Sequence, residues 1–244
     1  MSTNKLAFVT GGSGDLGQAI VRRLAQDGCR VAFSYHQGVD RADQLRQDLA
    51  SSKAEVYAYP LDVTNARACV TTAKTIEEEL GPVNILVNNA GMAQVLPFAM
   101  IEEADWDQLM NVNLKGMFLV TKAFVRGMIR RKTGSIVNIG SLAGVRMLEV
   151  PVHYATAKAA VTGFTLSLAR ELGRYNIRVN AAVPGMLDGG VASNIPDKQR
   201  HQYNDYCALS RPGQCSEIAE LVAFLASDKS SYINAQSILA DGGI

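Results

Sequence analysis

Seven short runs of apolar, largely β-branched residues recur along the chain, at 6–10, 30–35, 55–60, 83–88, 134–140, 177–182 and 236–240. Each is nearly continuous rather than alternating, the pattern of a strand buried on both faces of a parallel sheet. Between them, apolar positions fall three and four apart. Leu16, Ile20, Leu24 and Ala25 form one helical stripe, and Leu109, Val112, Leu119 and Phe124 belong to another. An alanine- and leucine-rich stretch over 155–172 stops near Gly173. This alternation predicts an α/β fold in one domain spanning 1–244, a doubly wound parallel sheet (Rossmann fold) of about seven strands with helices on both faces. No linker, repeat or low-complexity tract interrupts it.

Composition narrows the function classes. With 24 basic and 23 acidic residues the net charge is +1, which gives no overall attraction to nucleic acid or an anionic membrane. Cys29, Cys69, Cys207 and Cys215 are widely spaced, with no C-x-x-C pair and no histidine cluster, so neither a metal site nor a disulfide framework is expected. Free thiols suit a reducing compartment. The first apolar stretch is too short for a signal peptide, and no run approaches ~18 apolar residues. A cytoplasmic protein with no membrane segment is the expectation.

The first candidate chemistry follows the first strand. Gly11, Gly12, Ser13, Gly14, Asp15, Leu16 and Gly17 lie between that strand and a helix. Glycines there let a pyrophosphate approach the main chain, and the helix N-terminus supplies N–H groups and a positive dipole end. An acidic residue at the end of the second strand would hold the ribose 2′-hydroxyl of NAD. The chain instead reads Ser34-Tyr35-His36. Ser34 could donate to a 2′-phosphate, and His36 or Arg41 could add charge, so NADPH is expected as the cofactor, with NADH disfavoured.

Tyr154 and Lys158 are four apart in a helical segment and share one face. A nearby ammonium stabilises a phenolate and so makes tyrosine a usable acid–base group. Ser141, after the fifth strand, could polarise a substrate carbonyl. The Tyr-x-x-x-Lys spacing arises by chance roughly 0.3 times in such a chain, so its placement beyond a strand end carries the weight.

The loop at 10–17, Asp62-Val63, Asn88-Asn89-Ala90-Gly91, Asn113-Leu114, Ile139-Gly140-Ser141, Tyr154 with Lys158, Pro184-Gly185 and Asp241-Gly242-Gly243 occur in family order. On these pieces the chain resembles the short-chain dehydrogenase/reductase family from end to end. Within it, the chain looks most like 3-oxoacyl-(acyl-carrier-protein) and acetoacetyl-CoA reductases. The resemblance implies that Tyr154 donates a proton, Lys158 lowers its pKa and binds ribose, Ser141 orients the carbonyl, and Asn113 holds a proton-resupplying water. It places Asp62 on the adenine amino group with Val63 beside the base, and Asn89, Ala90 and Gly91 under the ribose. Pro184 and Gly185 would lie against the nicotinamide, with Leu187 also touching the cofactor. A homotetramer built on the segments around 103–131 and 152–174 is implied as well.

Two departures stand out. The usual loop spelling has glycine at the position of Asp15; as T-G-x-x-G-x-x-G the loop resembles polyketide ketoreductases instead, and it lacks the arginine many NADPH-preferring relatives carry at Gly14. Asp15 should weaken pyrophosphate binding unless it points to solvent or caps the helix. Relatives also commonly carry threonine at the position of Gly189, for which Ser193 is a candidate substitute. The segment 186–210 is expected to act as a substrate lid, a polar one given Asp197, Lys198, Gln199 and Arg200.

Other residues read as structure. Trp106, Met110, Met117 and Met128 suit core or subunit contacts, and His153 suits packing. Arg130, Arg131 and Lys132 suit a helix C-terminus, with docking of an acidic acyl carrier protein near Arg130 and Arg131 as the functional alternative. The leading expectation is reduction of a 3-oxoacyl thioester, on a carrier protein or CoA, in fatty-acid or polyketide-type biosynthesis. A dehydrogenase of small alcohols, sugars or steroids, and a non-catalytic dinucleotide sensor, stand as alternatives.

Overall fold

The seven apolar runs become seven parallel strands. They are β1 (Leu6–Val9), β2 (Arg30–Tyr35), β3 (Val56–Pro60), β4 (Val83–Asn88), β5 (Gly134–Ile139), β6 (Ile177–Pro184) and β7 (Ser237–Ala240). The computed structural model describes residues 5–50, 54–190 and 197–244. Their spatial order is β3-β2-β1-β4-β5-β6-β7, the doubly wound sheet that the alternation predicts. β6 runs to Pro184, past its predicted end, because Val183 and Pro184 pair with Leu239 and Ala240 of β7.

Eight helices occupy the intervals among the described residues: α1 (Asp15–Gln26), α2 (Val39–Ala50), α3 (Ala66–Leu80), α4 (Glu103–Met110), α5 (Gly116–Arg131), α6 (Val152–Leu172), α7 (Asp197–Tyr206) and α8 (Cys215–Ala226). The four residues of β1 show how the layers form. Ala7 and Val9 pack against α1, α2 and α8, where Ile20, Leu45 and Val222 are fully buried. Leu6 and Phe8 face α3, α5 and α6, and Phe8 meets Phe124 at 4.9 Å between ring centroids. Met117 and Met128 are buried in the cores, as their spacing suggested.

One irregularity was not foreseen. Between α4 and α5 the chain makes a π-helical turn over Asn111–Lys115, which places Asn113 inside the molecule. Such a turn adds one residue to the helical ladder and re-aims side chains locally.

The strand order reverses at β1, whose neighbours are β2 and β4. A crevice therefore opens beyond the carboxyl ends of β1 and β4, and the loops following those strands meet there.

Candidate active site

A cleft of about 680 Å³ runs along these strand ends, from the loop after β1 to the start of α6. The loop is braced from β4. The Thr10 hydroxyl accepts the amides of Asn89 and Ala90, each at 2.9 Å, and the Asn89 side chain donates to the carbonyls of Thr10 (2.9 Å) and Gly11 (3.1 Å). At Gly17 a Cβ would lie 2.2 Å from the Gly11 carbonyl oxygen, so only glycine permits this close return of the helix onto the loop. α1 then starts with Gly14 as its N-cap and no side-chain cap. Its first amides are thus left to an outside acceptor.

The end of β2 corrects one expectation. Ser34 is 1% exposed and turned beneath the loop, where its Oγ accepts the Gly11 amide at 3.3 Å, so it is not placed to meet a 2′-phosphate. Tyr35 is half-buried and His36 is exposed beside Asp62. Burial pushes the Asp62 carboxyl up, but hydrogen bonds from the Thr64 hydroxyl (2.7 Å) and amide (2.9 Å) outweigh it and hold the group below its ordinary value. Val63 is buried and packs at Gly116.

The Asp15 side chain is 42% exposed but engaged, and it does not cap its helix. Its carboxylate accepts the Gly190 amide at 2.6 Å and forms an ion pair with Arg41 of α2. The Gly190 bond first, and then Arg41, hold its pKa below the carboxylate norm. Pro184, Gly185 and Leu187 line the same cleft. Ser193 and residues 191–196 of the expected lid lie outside the described residues, as do the side chains of residues 197–199. Beside them, Tyr203 of α7 ties the segment down: its hydroxyl accepts the Met186 amide at 2.9 Å and donates to the Asp241 carbonyl at 3.1 Å.

At the other end, Ser141 follows β5, and Tyr154 and Lys158 sit one turn apart on α6. The Ser141 Oγ accepts the Ala143 amide at 3.2 Å, which leaves its O–H to donate. Burial raises the Tyr154 pKa, and the hydrogen bond from Ser141 opposes the rise. The Lys158 ammonium donates to the Ile139 carbonyl at 3.0 Å and lies 5.9 Å from the Tyr154 ring centroid. Burial lowers Lys158 to about 8.

Asn113 stands behind Gly91. Its side chain accepts the Met92 amide and donates to the Met92 carbonyl, both at 2.8 Å, so each end of the amide is engaged once. Among the cleft residues that sequence reasoning did not single out are Tyr203 and Gln94. Gln94 donates to Asp105 at 2.6 Å, and its Oε1 meets His153 Nε2 at 3.2 Å. Because an ionised Asp105 only accepts, this fixes the amide orientation and makes His153 the Nε2–H tautomer. Burial lowers the His153 pKa, with Asp105 pulling the other way. The packing role expected for His153 thus comes with a polar link to the loop after β4.

The docking expectation also needs correction. Arg131 donates to the Val83 carbonyl at 2.6 Å and pairs with Glu77 at 3.4 Å, so it is engaged within the fold. Arg130 is exposed, as is Arg126 one turn earlier.

An uncapped helix N-terminus, a loop with no room for a Cβ at Gly17, and a cleft from there to a buried lysine beside a tyrosine and serine fit a nicotinamide dinucleotide. Comparison with known proteins agrees. A family model described as enoyl-(acyl carrier protein) reductase matches residues 13–244. The 3-oxoacyl-(acyl-carrier-protein) reductases FabG of Thermotoga maritima and Pseudomonas aeruginosa are each 35% identical over 240 residues, covering 98% of this chain and 97% of theirs. Among solved structures, a short-chain dehydrogenase/reductase from Serratia marcescens superposes with a TM-score of 0.91 at 33% identity, covering 98% of this chain and 97% of that one. A gluconate 5-dehydrogenase from Burkholderia cenocepacia, in complex with NADP and tartrate, gives 0.92 at 29% identity, covering 98% and 94%.

Proposed function

Since the chain belongs to the short-chain dehydrogenase/reductase family, an NAD(P)-dependent oxidoreductase family, we propose that it reduces a 3-oxoacyl thioester to the 3-hydroxyacyl thioester with NADPH. The observation that carries this reading is the Ser141–Tyr154 hydroxyl pair set against an apolar wall of Leu96, Pro97, Phe98, Leu148 and Val150. Such a wall suits an acyl chain and offers a polyol few partners. Fatty-acid synthesis is the setting the FabG relatives favour.

When bound, the nicotinamide supplies the hydride that goes to the carbonyl carbon. The chain's own residues handle the oxygen. Ser141 donates a hydrogen bond to it, and Tyr154 gives it a proton. The raised pKa of Tyr154 keeps it a phenol at neutral pH, ready to donate. Lys158, lowered to about 8, is still mostly charged at pH 7 and stabilises the phenolate left behind. The Asn113 side chain spends one donor and one acceptor position on Met92, so its remaining positions and its main chain are what a proton-resupplying water would meet.

The missing acid at the end of β2 supports NADPH over NADH. Phe118 of α5 and Leu166 of α6 point outward at 43% and 49% exposure, which supports pairing of these helices in a homotetramer. A light-scattering mass of one protomer would refute that assembly.

NADPH oxidation at 340 nm with acetoacetyl-CoA, beside ketone and polyol panels, tests the whole reading. The expected result is thioester-dependent turnover that Tyr154→Phe lowers about 10²-fold or more. Turnover of polyols alone would replace the substrate.

A further inference from the structure

Two places where the sequence departs from its family's pattern meet in space. At Gly189 a Cβ would lie 3.2 Å from the Asp15 carboxylate, and the residue holds φ at +116°, where L side chains are rarely found. Glycine at 189 is therefore the partner that aspartate at 15 requires. The carboxylate joins three separated pieces of chain: its own loop, the first turn of α2 through Arg41, and the segment after β6 through the Gly190 amide. It does this at the cleft, which Asp15, Gly189 and Gly190 all line.

A backbone amide and a guanidinium are both receptors for a phosphate. Arg41 rises beside the β2–α2 turn: its Cβ and Cδ, and the Ser13 Oγ, all stand 3.9 Å from where a Gly38 Cβ would be. That turn follows β2, where the adenosine ribose of a bound dinucleotide would rest. His36 shares the turn but is exposed beside Asp62, and Ser34 is turned under the loop. Arg41 is thus the cation of this corner directed at the phosphate loop, and a carboxylate already sits on it.

We propose that Arg41 is the residue that reads the 2′-phosphate, and that Asp15 is a resident anion which occupies Arg41 and the Gly190 amide until a 2′-phosphorylated dinucleotide takes them over. The proposal rests on the NADPH reading above. Asp15 thereby lowers affinity for the cofactor, and Arg41 sets its selectivity.

Calorimetric titration with 2′,5′-ADP and with 5′-AMP tests both roles without any turnover. Wild-type protein should prefer 2′,5′-ADP. Arg41→Ala should raise the Kd for 2′,5′-ADP about tenfold or more, the scale of a charge-assisted contact, while 5′-AMP changes less than about twofold. Asp15→Asn, which keeps the acceptor oxygen for Gly190 and removes the charge, should lower the Kd for 2′,5′-ADP about threefold or more. A 2′-phosphate preference that survives Arg41→Ala, or is lost instead in His36→Ala, overturns this assignment and leaves the NADPH reading standing. Weaker 2′,5′-ADP binding in Asp15→Asn overturns the resident-anion role. A wild-type protein indifferent to the 2′-phosphate overturns both the NADPH reading and the proposal.

Discussion

Replacing Lys158 with methionine should make the protein more stable while abolishing turnover. Lys158 is 8% exposed, and burial lowers its pKa from 10.5 to about 8. That fall corresponds to about 3 kcal/mol of native-state cost for carrying the charge, at ~1.4 kcal/mol per pKa step. Methionine has a similar length and no charge. It leaves the Ile139 carbonyl without the bond it now receives at 3.0 Å, a loss of about 1 kcal/mol. The net expectation is about 2 kcal/mol of stabilisation at pH 7, or roughly 4–8 °C in melting temperature.

The pH dependence separates this cause from better packing. Below about 8 the lysine is protonated in native and unfolded chains alike, so the wild type bears the full cost. Between about 8 and 10.5 the native protein releases the proton while the unfolded chain keeps it, and the cost fades. The advantage of Lys158→Met should therefore be complete at pH 7 and shrink as pH climbs through that window. Cys29 and Cys69, both raised to about 11 by burial, destabilise either protein as pH rises above 9.0, so they cancel in the difference. Urea unfolding of both proteins at pH 7 and pH 9.5, at equal protomer concentration, measures it. A variant less stable than wild type at pH 7, or a gap that does not narrow by pH 9.5, refutes the reasoning.

Other substitutions probe the loop, the frame and the surface. Gly17→Ala must push its Cβ against the Gly11 carbonyl and should abolish NADP⁺ binding by titration, whereas Gly14→Ala, with 3.5 Å to the same oxygen, should bind within about threefold of wild type. Arg178 binds the carbonyls of Leu225 (2.9 Å) and Ser227 (2.9 Å) and the Ser230 hydroxyl (3.0 Å), so it fastens the end of α8 to β6. Arg178→Met should cost about 3 kcal/mol in urea unfolding, and lysine should rescue little because one ammonium cannot span that fork. Arg130→Ala should raise KM for a carrier-bound substrate several-fold and leave acetoacetyl-CoA unchanged; equal effects on both would remove carrier docking from this face.

How far the sequence is legible follows from the range of the interactions involved. The strands were visible because a doubly covered parallel strand is apolar residue by residue, and β1 and β5 begin where expected. Tyr154 and Lys158 were visible because four residues make one helical turn, and Ser141 because it ends a strand in the same crevice. Contacts between distant pieces of chain leave no such local trace. The commitment of Asn113 to Met92 depends on a π-helical turn, and that of Arg131 to Val83 on how α5 docks beside β4. Ser34 read as a surface donor because the alternation around it does not reveal that the loop after β1 folds over it. The two departures from the family pattern show the limit most sharply. Asp15 alone reads as an obstacle to phosphate and Gly189 alone as a lost hydroxyl. A Cβ at position 189 would stand 3.2 Å from the Asp15 carboxylate, which makes the two departures one feature, with Arg41 and Gly190 as its other members. An anion at the mouth of an anion-binding cleft is electrostatically unfavourable only while its partners are unnamed; once they are named, it marks the groups a phosphate must win.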